Sequence, residues 1–401
     1  MKSNLQNNKR VDEILANQDF SKENLEFVVL GYCNGTVDQE FMSKFLLWIY
    51  KNGLTEKQTV DLTTVMLEQG EMIDMSDVQN SVDKHSTGGV SDSTTLIVVP
   101  LFALLGFCSL KMSGGALGHT GGTADKMKVF EGINISLDSA QAKQIAKKHG
   151  GCFCCQTSTL APIDKKLYAL RDKIGAVMSI PLIASSIMSK KLALGAKNIV
   201  LDVKFGDGAL ICDQNQSVVL AKLMQSIGES HGRNTKFVLG DMNQPLGNAI
   251  GDYYEVMEVC WLLSHFEDND LIKHSVELVC ALCDVVGLTK EECRQKCYDF
   301  LKNGKAFDKL QEIITAQGGK IPKLVDIKTL PCWCVTSNQS GTVKGIKTRQ
   351  LGTLFHDYKN NGACITKRIG QKVEKGECLA KVFGNFDENL KTQLESLWEI
   401  E

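Results

Sequence analysis

No uninterrupted apolar run in this chain is long enough to span a bilayer, and the opening stretch, MKSNLQNNKRVDEILANQDF, lacks the apolar centre of a secretory leader. Both absences point to a cytoplasmic protein with no membrane partner. A net charge of −2 supplies no extended basic surface, so nucleic acid is not an expected partner either. There is no G-x-x-x-x-G-K-[ST] run and no G-x-G-x-x-G spacing, which argues against a polyphosphate loop and a dinucleotide fingerprint. The 15 cysteines come without an export signal and in an odd number, so no disulfide framework is expected. Cys280-x2-Cys283 and Cys293-x3-Cys297 have the spacing of zinc ligands, but HSVELVCALCDVV has helical apolar periodicity, and buried core thiols are the expected reading. No internal repeat is visible.

What remains is an ordinary globular composition, 43% hydrophobic and 23% charged, in 401 residues that suggest two or three domains. The chain is organised around Ser81 to Phe130. Two glycine-rich loops lie there, Ser86-Thr87-Gly88-Gly89 and the run from Ser113 to Thr123, SGGALGHTGGT, each followed by a segment with helical spacing. Glycines let the backbone approach an anion, and the amides of a following helix start point at it with the positive end of the dipole. Lys84, Ser86, Thr95, Lys111, Ser113 and Thr123 add cations and hydroxyl donors. Such a set suits one small, fully held phosphate.

The periodicity divides the chain. Residues 20–70 alternate helix signals with short turns: Ser21 opens a helix that Asn34-Gly35 ends, Gln39 to Tyr50 follows, and Thr55 to Gln69 is closed by Gly70. From about residue 80 the pattern becomes strand, loop, helix, with strands expected at Cys108 to Met112, Gly151 to Gln156, Asn198 to Lys204 and Lys236 to Asp241. Asp164 to Leu194 interrupts it with a second helical block. After about residue 330, turn-punctuated alternating segments and a final helix from Phe386 indicate a small β-rich domain. The expected fold is α/β: a discontinuous all-helical domain (1–70 and 164–194), a mostly parallel α/β sheet domain (71–163 and 195–330) and a small α+β C-terminal domain (331–401). A ligand cleft is expected between the first two.

A second polar cluster lies in the helical block. Ser186 and Lys190 share a face at i, i+4 if residues 182–192 are helical, and Arg171 stands at the preceding helix end. An Arg, a Ser and a Lys that converge can read a planar imide edge, with carbonyl acceptors on either side of an N–H. Taken alone, such charges more often lie on a solvated face.

The runs DKHSTGGVSDSTTL and KMSGGALGHTGGTADKM, then QTSTLAPIDKKLYALRD and SIPLIASSIMSKKLALGAKNIVLDVKFGDGA, resemble the pyrimidine-nucleoside and thymidine phosphorylase family over roughly residues 10–330. The resemblance implies reversible phosphorolysis of uridine, thymidine and deoxyuridine, in which phosphate attacks C1′ and the free base and α-pentose 1-phosphate leave. It places the six residues above on phosphate, and Arg171, Ser186 and Lys190 on the base. His85 becomes the proton or hydrogen-bond donor to the leaving base, with Leu117, Tyr168 and Ile183 as walls. It also implies a potassium-like ion at Ser91, Ser93, Leu246, Ala249 and Glu258, phosphate as co-substrate, no organic cofactor, and a homodimer. Lysine at position 111 is similar to the broad-specificity branch. The chain departs from the family at Ser91, at Gly115-Ala116, at Lys128 and at Leu210, and is shortened around Asn360 to Arg368. A catalytically impaired nucleoside- or phosphate-binding homologue is one alternative. A phosphoribosyltransferase of the same architecture is the other, and Asp125 followed by Lys126-Met127-Lys128 is a poor magnesium and pyrophosphate site for it.

Overall fold

The computed structural model describes residues 2–115, 121–155, 159–357, 361–385 and 388–401. Four helices come first: α1 (Lys2–Asn17), α2 (Lys22–Asn34), α3 (Gln39–Asn52) and α4 (Glu56–Leu67). Helix α1 occupies a stretch too polar to announce itself, and holds on through Val11 and Ile14, which are buried. Ser21 is the N-cap residue of α2, and Gly35 ends that helix at φ 81°, a left-handed value that glycine adopts without penalty. Thr55 and Gln58 close a reciprocal capping box on α4, an interaction worth about 1 kcal/mol.

Alternation then begins with β1 (Ser81–Ser86), α5 (Thr94–Leu104), β2 (Cys108–Ser113), α6 (Thr123–Met127), α7 (Ser139–His149) and β3 (Gly151–Cys155). Helices α8 (Pro162–Lys173) and α9 (Ile180–Ala193) interrupt it, each with proline in its first turn. It resumes with β4 (Asn198–Phe205), α10 (Gln214–Ser230), β5 (Asn234–Asp241), β6 (Ala249–Ile250), α11 (Asp252–His265), α12 (Asp270–Cys280), α13 (Lys290–Lys302) and α14 (Lys305–Ala316). The five-stranded sheet has the order β3-β2-β1-β4-β5, with β1 and β3 both pairing parallel to β2. Strand β1 is central and was not among the expected strands. Its sequence, SVDKHS, puts charge where a buried parallel strand is ordinarily apolar. Helix α5, TTLIVVPLFAL, is apolar all round, and its residues Thr94 to Phe102 are buried.

The C-terminal segment holds β7 (Trp333–Thr336), β8 (Gly341–Ile346), α15 (Thr348–Asp357), β9 (Gly362–Ile365), β10 (Lys372–Val373), β11 (Cys378–Phe383), α16 (Glu388–Glu395) and β12 (Trp398–Ile400). Two small antiparallel sheets result, β10-β8-β12 and β6-β9-β11-β7, around a core that includes Val335, Leu351, Val382 and Leu390.

The chain forms two compact units: Met1–Asp77 with Thr157–Ile199 and Val218–Thr235, and Val78–Gln156 with Val200–Ser217 and Lys236–Glu401. The first has its own core, in which Leu25, Phe45, Ile49 and Leu62 meet Ile163, Leu167 and Leu182. The C-terminal sheets belong to the second. Among the described residues, no helix is long and apolar enough to cross a membrane.

Candidate active site

In the second unit, the residues assigned to phosphate stand at the ends of β1 and β2 and at the helix starts that follow. Ser81 pairs with Cys108 and Val82 with Ser109, so the two strands run side by side toward the loops that follow them. Loops beyond the carboxyl ends of parallel strands are where α/β sheets bind ligands. Thr95 lies buried in the first turn of α5, and Thr123 opens α6. The Ser113 Oγ has no hydrogen-bond partner among the described residues. Lys111 is buried and donates to the Met112 carbonyl at 2.8 Å. His85 is half-buried on β1.

Lys84 is fully buried. Its ammonium lies 2.9 Å from Asp202 Oδ2 and donates to Thr94 Oγ1 at 2.6 Å. The other Asp202 oxygen meets Lys204 Nζ and His274 Nε2, each at 2.7 Å. Burial pushes the Asp202 carboxyl up, but Lys204, Lys84 and His274 outweigh it and hold the group well below the usual carboxylate range. Asp92 is held low in the same way, by Lys204 and Lys84 against its burial, with help from Ser86, whose Oγ donates to Asp92 Oδ2 at 2.5 Å. Ser86 Oγ also accepts from the Gly88 amide at 3.1 Å, while Gly88 sits at φ 91°. The loop is pinned to β4, because the Thr87 amide donates to the Asp202 carbonyl and Thr87 Oγ1 accepts from the Lys204 amide. At Gly89 a β-carbon would lie 2.6 Å from Met242 Cε, so a side chain there would displace the methionine tip. Lys126 is buried as well, 2.6 Å from Glu255 Oε2 and donating to the Asp92 carbonyl at 2.9 Å.

Asp92, Asp202, Lys204, Lys126 and Glu255 were absent from the sequence-based site. Charges inside the otherwise apolar strand NIVLDVKF were the available signal, since buried charges that are paired in a network mark functional sites.

In the first unit, Lys190 Nζ lies 2.6 Å from Asp164 Oδ2 and donates to Ser186 Oγ at 3.2 Å. The expected i, i+4 pair therefore exists on α9, with Asp164 of α8 as an unanticipated partner. Among the described residues, one ammonium N–H is left over. Arg171 is buried and organises the connection to α9, donating from Nε to the Ala176 carbonyl, from Nη1 to Leu182 and from Nη2 to Val177, at 3.3, 3.0 and 2.6 Å. Among the described residues, two of its five N–H groups remain. Its guanidinium carbon is 5.8 Å from the centre of the half-buried Tyr168 ring, and Ile183 is buried on α9. Leu117 lies outside the described residues.

The residues assigned to a cation form a third group, in the second unit. Both Glu258 oxygens accept from the Asn248 amide, and Oε2 also from the Ala249 amide. A β-carbon on Gly247 would lie 2.5 Å from Ser91 Oγ and 2.6 Å from Glu258 Oε2, so this hydroxyl and carboxylate face one small space. Ser91 Oγ is buried without a partner among the described residues. Burial raises the Glu258 carboxyl to about 7 against its amide hydrogen bonds. A buried carboxylate, an orphaned hydroxyl and nearby carbonyls fit a hard cation. Two features differ from expectation. Ser93 Oγ donates to Glu255 at 2.9 Å, and Arg368 donates to the Leu246 carbonyl at 3.3 Å. Ser91 itself sits at φ 59°, a left-handed value at which its β-carbon is strained.

Lys128 Nζ lies 2.7 Å from Asp125 Oδ1 and offsets the charge of the α6 acid that a magnesium–pyrophosphate site would use.

The profile of the glycosyl transferase family, a/b domain, matches residues 78–307. The pyrimidine-nucleoside phosphorylase of Bacillus subtilis (strain 168) is 39% identical over 94% of this chain and 92% of its own. Those of Staphylococcus epidermidis (strain RP62A) and Staphylococcus aureus (strain NCTC 8325) are 38% and 37% identical, over 92% and 90% of this chain and 90% and 88% of theirs. The chain belongs to the pyrimidine-nucleoside phosphorylase family. Anthranilate phosphoribosyltransferase from Thermus thermophilus has a similar fold, with TM-score 0.61 and 14% identity over 77% of this chain and 99% of that one.

Proposed function

We propose that this protein is a pentosyltransferase that catalyses the reversible phosphorolysis of pyrimidine nucleosides, serving pyrimidine salvage. The observation that carries the reading is the Lys84–Asp202–Lys204–Asp92 network, which fixes a phosphate-type loop at the end of the central strand within a chain 39% identical to a named phosphorylase. Phosphate is held by Lys84, Ser86, Thr95, Lys111, Ser113 and Thr123. An oxygen of it forms a bond to C1′ as the C1′–N1 bond breaks with inversion, and the bonding pair leaves on the base. Lys190, Ser186 and the two remaining N–H groups of Arg171 stabilise the charge that grows on the base, with donors already ordered by Asp164 and by the backbone carbonyls around residue 177. His85 gives the proton or hydrogen bond, and Leu117, Tyr168 and Ile183 are the walls.

No organic cofactor is called for. A potassium-class ion would be held by Ser91, Ser93, Leu246, Ala249 and Glu258, where it would brace the loop after β1. The copies pair as a homodimer through the helical unit: Leu47 and Tyr50 of α3 are 42% and 46% exposed while Phe45, Leu46 and Ile49 point inward, and light scattering should give twice 44.1 kDa.

The deciding measurement is uracil or thymine release from uridine, thymidine and deoxyuridine, with and without phosphate. Release only with phosphate is expected. Binding without turnover would select a sensor, and base consumption with 5-phosphoribosyl pyrophosphate would select a phosphoribosyltransferase.

A further inference from the structure

Three cysteines from two helices meet in the apolar core of the second unit. Cys280 is the last residue of α12, and Cys293 and Cys297 lie at i, i+4 on one face of α13. All three are buried, at 2%, 0% and 0% exposure, and their Sγ atoms lie within 4.8 Å of one another. Among the described residues no other three His, Cys, Asp or Glu side chains bring ligand atoms together in this way. Aliphatic side chains such as Leu278, Val279 and Leu301 line the same core, so hydrophobic packing alone does not require sulfur at all three positions.

Zinc–thiolate bonds of about 2.3 Å in a tetrahedron separate the sulfurs by about 3.8 Å, so the trio needs only a small contraction to hold an ion. Two further features favour it. Cys293 ends the first turn of α13, a helix start capped by Thr289, where the dipole stabilises a thiolate. Cys283 follows Cys280 by three residues, opens the short 3-10 turn Cys283–Val286 and is half-buried against the same core. The spacing Cys-x2-Cys, then Cys-x3-Cys, is that of structural zinc sites.

We propose that Cys280, Cys293 and Cys297 bind a thiophilic divalent ion of the zinc class, with Cys283 swinging in as the fourth ligand. Four thiols and one hydrated Zn2+ give the tetrathiolate and four protons released to water. None of the four residues belongs to the phosphate, base or cation sets, so the ion is structural: it joins the end of α12, the turn and α13.

The test uses the full chain, purified with reductant and without chelator, then given Zn2+ or Co2+. The expected results are about one zinc per chain by elemental analysis and, for cobalt, thiolate charge-transfer absorption with the intense visible bands of a tetrahedral site. Cys293→Ser should weaken zinc binding by about 100-fold, and Cys283→Ser by a smaller factor of about 10-fold. An unchanged affinity in Cys283→Ser overturns the fourth-ligand assignment. Should Cys293→Ser fail to fold, the unaltered protein still decides. Zinc should then protect the peptides carrying Cys280, Cys293 and Cys297 from alkylation in partial denaturant, as mapped by mass spectrometry. Zinc below stoichiometry, metal retained in Cys293→Ser, or alkylation indifferent to zinc would overturn the site and leave three packed thiols.

Discussion

Lys84 has no exposed surface, and a buried ammonium is tolerable only because Asp202 and Thr94 meet it at hydrogen-bond distance. Asp202 is in turn shared with Lys204 and His274, so its charge orders two lysines and an imidazole at once. Asp202→Asn removes that charge and leaves two buried lysines underpaired. The expected cost is about 3–5 kcal/mol of stability, read by urea unfolding, with the KM for phosphate rising more than the KM for nucleoside. Equal changes in both constants would mean that Asp202 serves the fold alone. Lys190 and Arg171 are tested in the same fashion. Lys190→Met should lower kcat/KM by at least about 100-fold, or 2.7 kcal/mol, and should also lower the melting temperature, because the Lys190 side chain is 25% exposed but the Asp164 carboxylate that loses it is only 5% exposed. Arg171→Ala should lower both activity and melting temperature, because three backbone carbonyls lose their donor, at about 1–3 kcal/mol each where buried. Near-normal turnover in both variants would remove the base-site assignment.

At the scale of elements, apolar spacing and capping made much of the chain legible. Helices α2, α3 and α4 start and stop where Ser21, Gly35, Gln39 and Thr55 indicate, and β2 through β5 fall within a residue or two of the runs that announced them. What stayed hidden shares one cause. Strand β1 carries Asp83 and Lys84, β4 carries Asp202 and Lys204 whose roles went unread, and α1 is polar, so the periodicity that marks burial is weakest where charge is buried or where a helix covers its core with few residues. Pairing across elements was equally hidden: Asp164 with Lys190 is 26 positions apart in the chain, and Asp202 with Lys84 comes from another strand. Lys111 lies on β2, two residues before Ser113, and an apolar residue there would leave a buried ribose 2′-hydroxyl without a partner. Lys111→Met should therefore depress uridine turnover by about 10-fold more than thymidine turnover. An equal loss on both substrates would assign Lys111 to phosphate alone, and an unaltered enzyme inert toward uridine would sink the broad-specificity reading.

Stability of the whole molecule should report on the cation. The Glu258 carboxyl, raised by burial to about 7, is proton-bound in the folded chain at pH values where an unfolded chain has already released the proton. Between about pH 4.5 and 7 the folded state therefore holds more protons than the unfolded state, and stability falls as pH rises, by about 3 kcal/mol in all if no counter-ion enters. The proposed potassium-class ion between Ser91 and Glu258 would bind the ionised carboxylate of the folded chain only, so it would restore what ionisation costs. Thermal melts in potassium chloride and in choline chloride at equal ionic strength should then coincide near pH 5.5 and diverge by several degrees near pH 8, with potassium the more stabilising. Glu258→Gln should abolish the divergence and flatten this part of the pH dependence, because the amide cannot ionise and still faces Ser91. The Asn248 and Ala249 amides that now bond the carboxylate keep one acceptor oxygen in that variant, so it should fold. A potassium effect of the same size at both pH values, or one that survives in Glu258→Gln, would place the ion elsewhere and leave Glu258 as a buried carboxyl held by those amides.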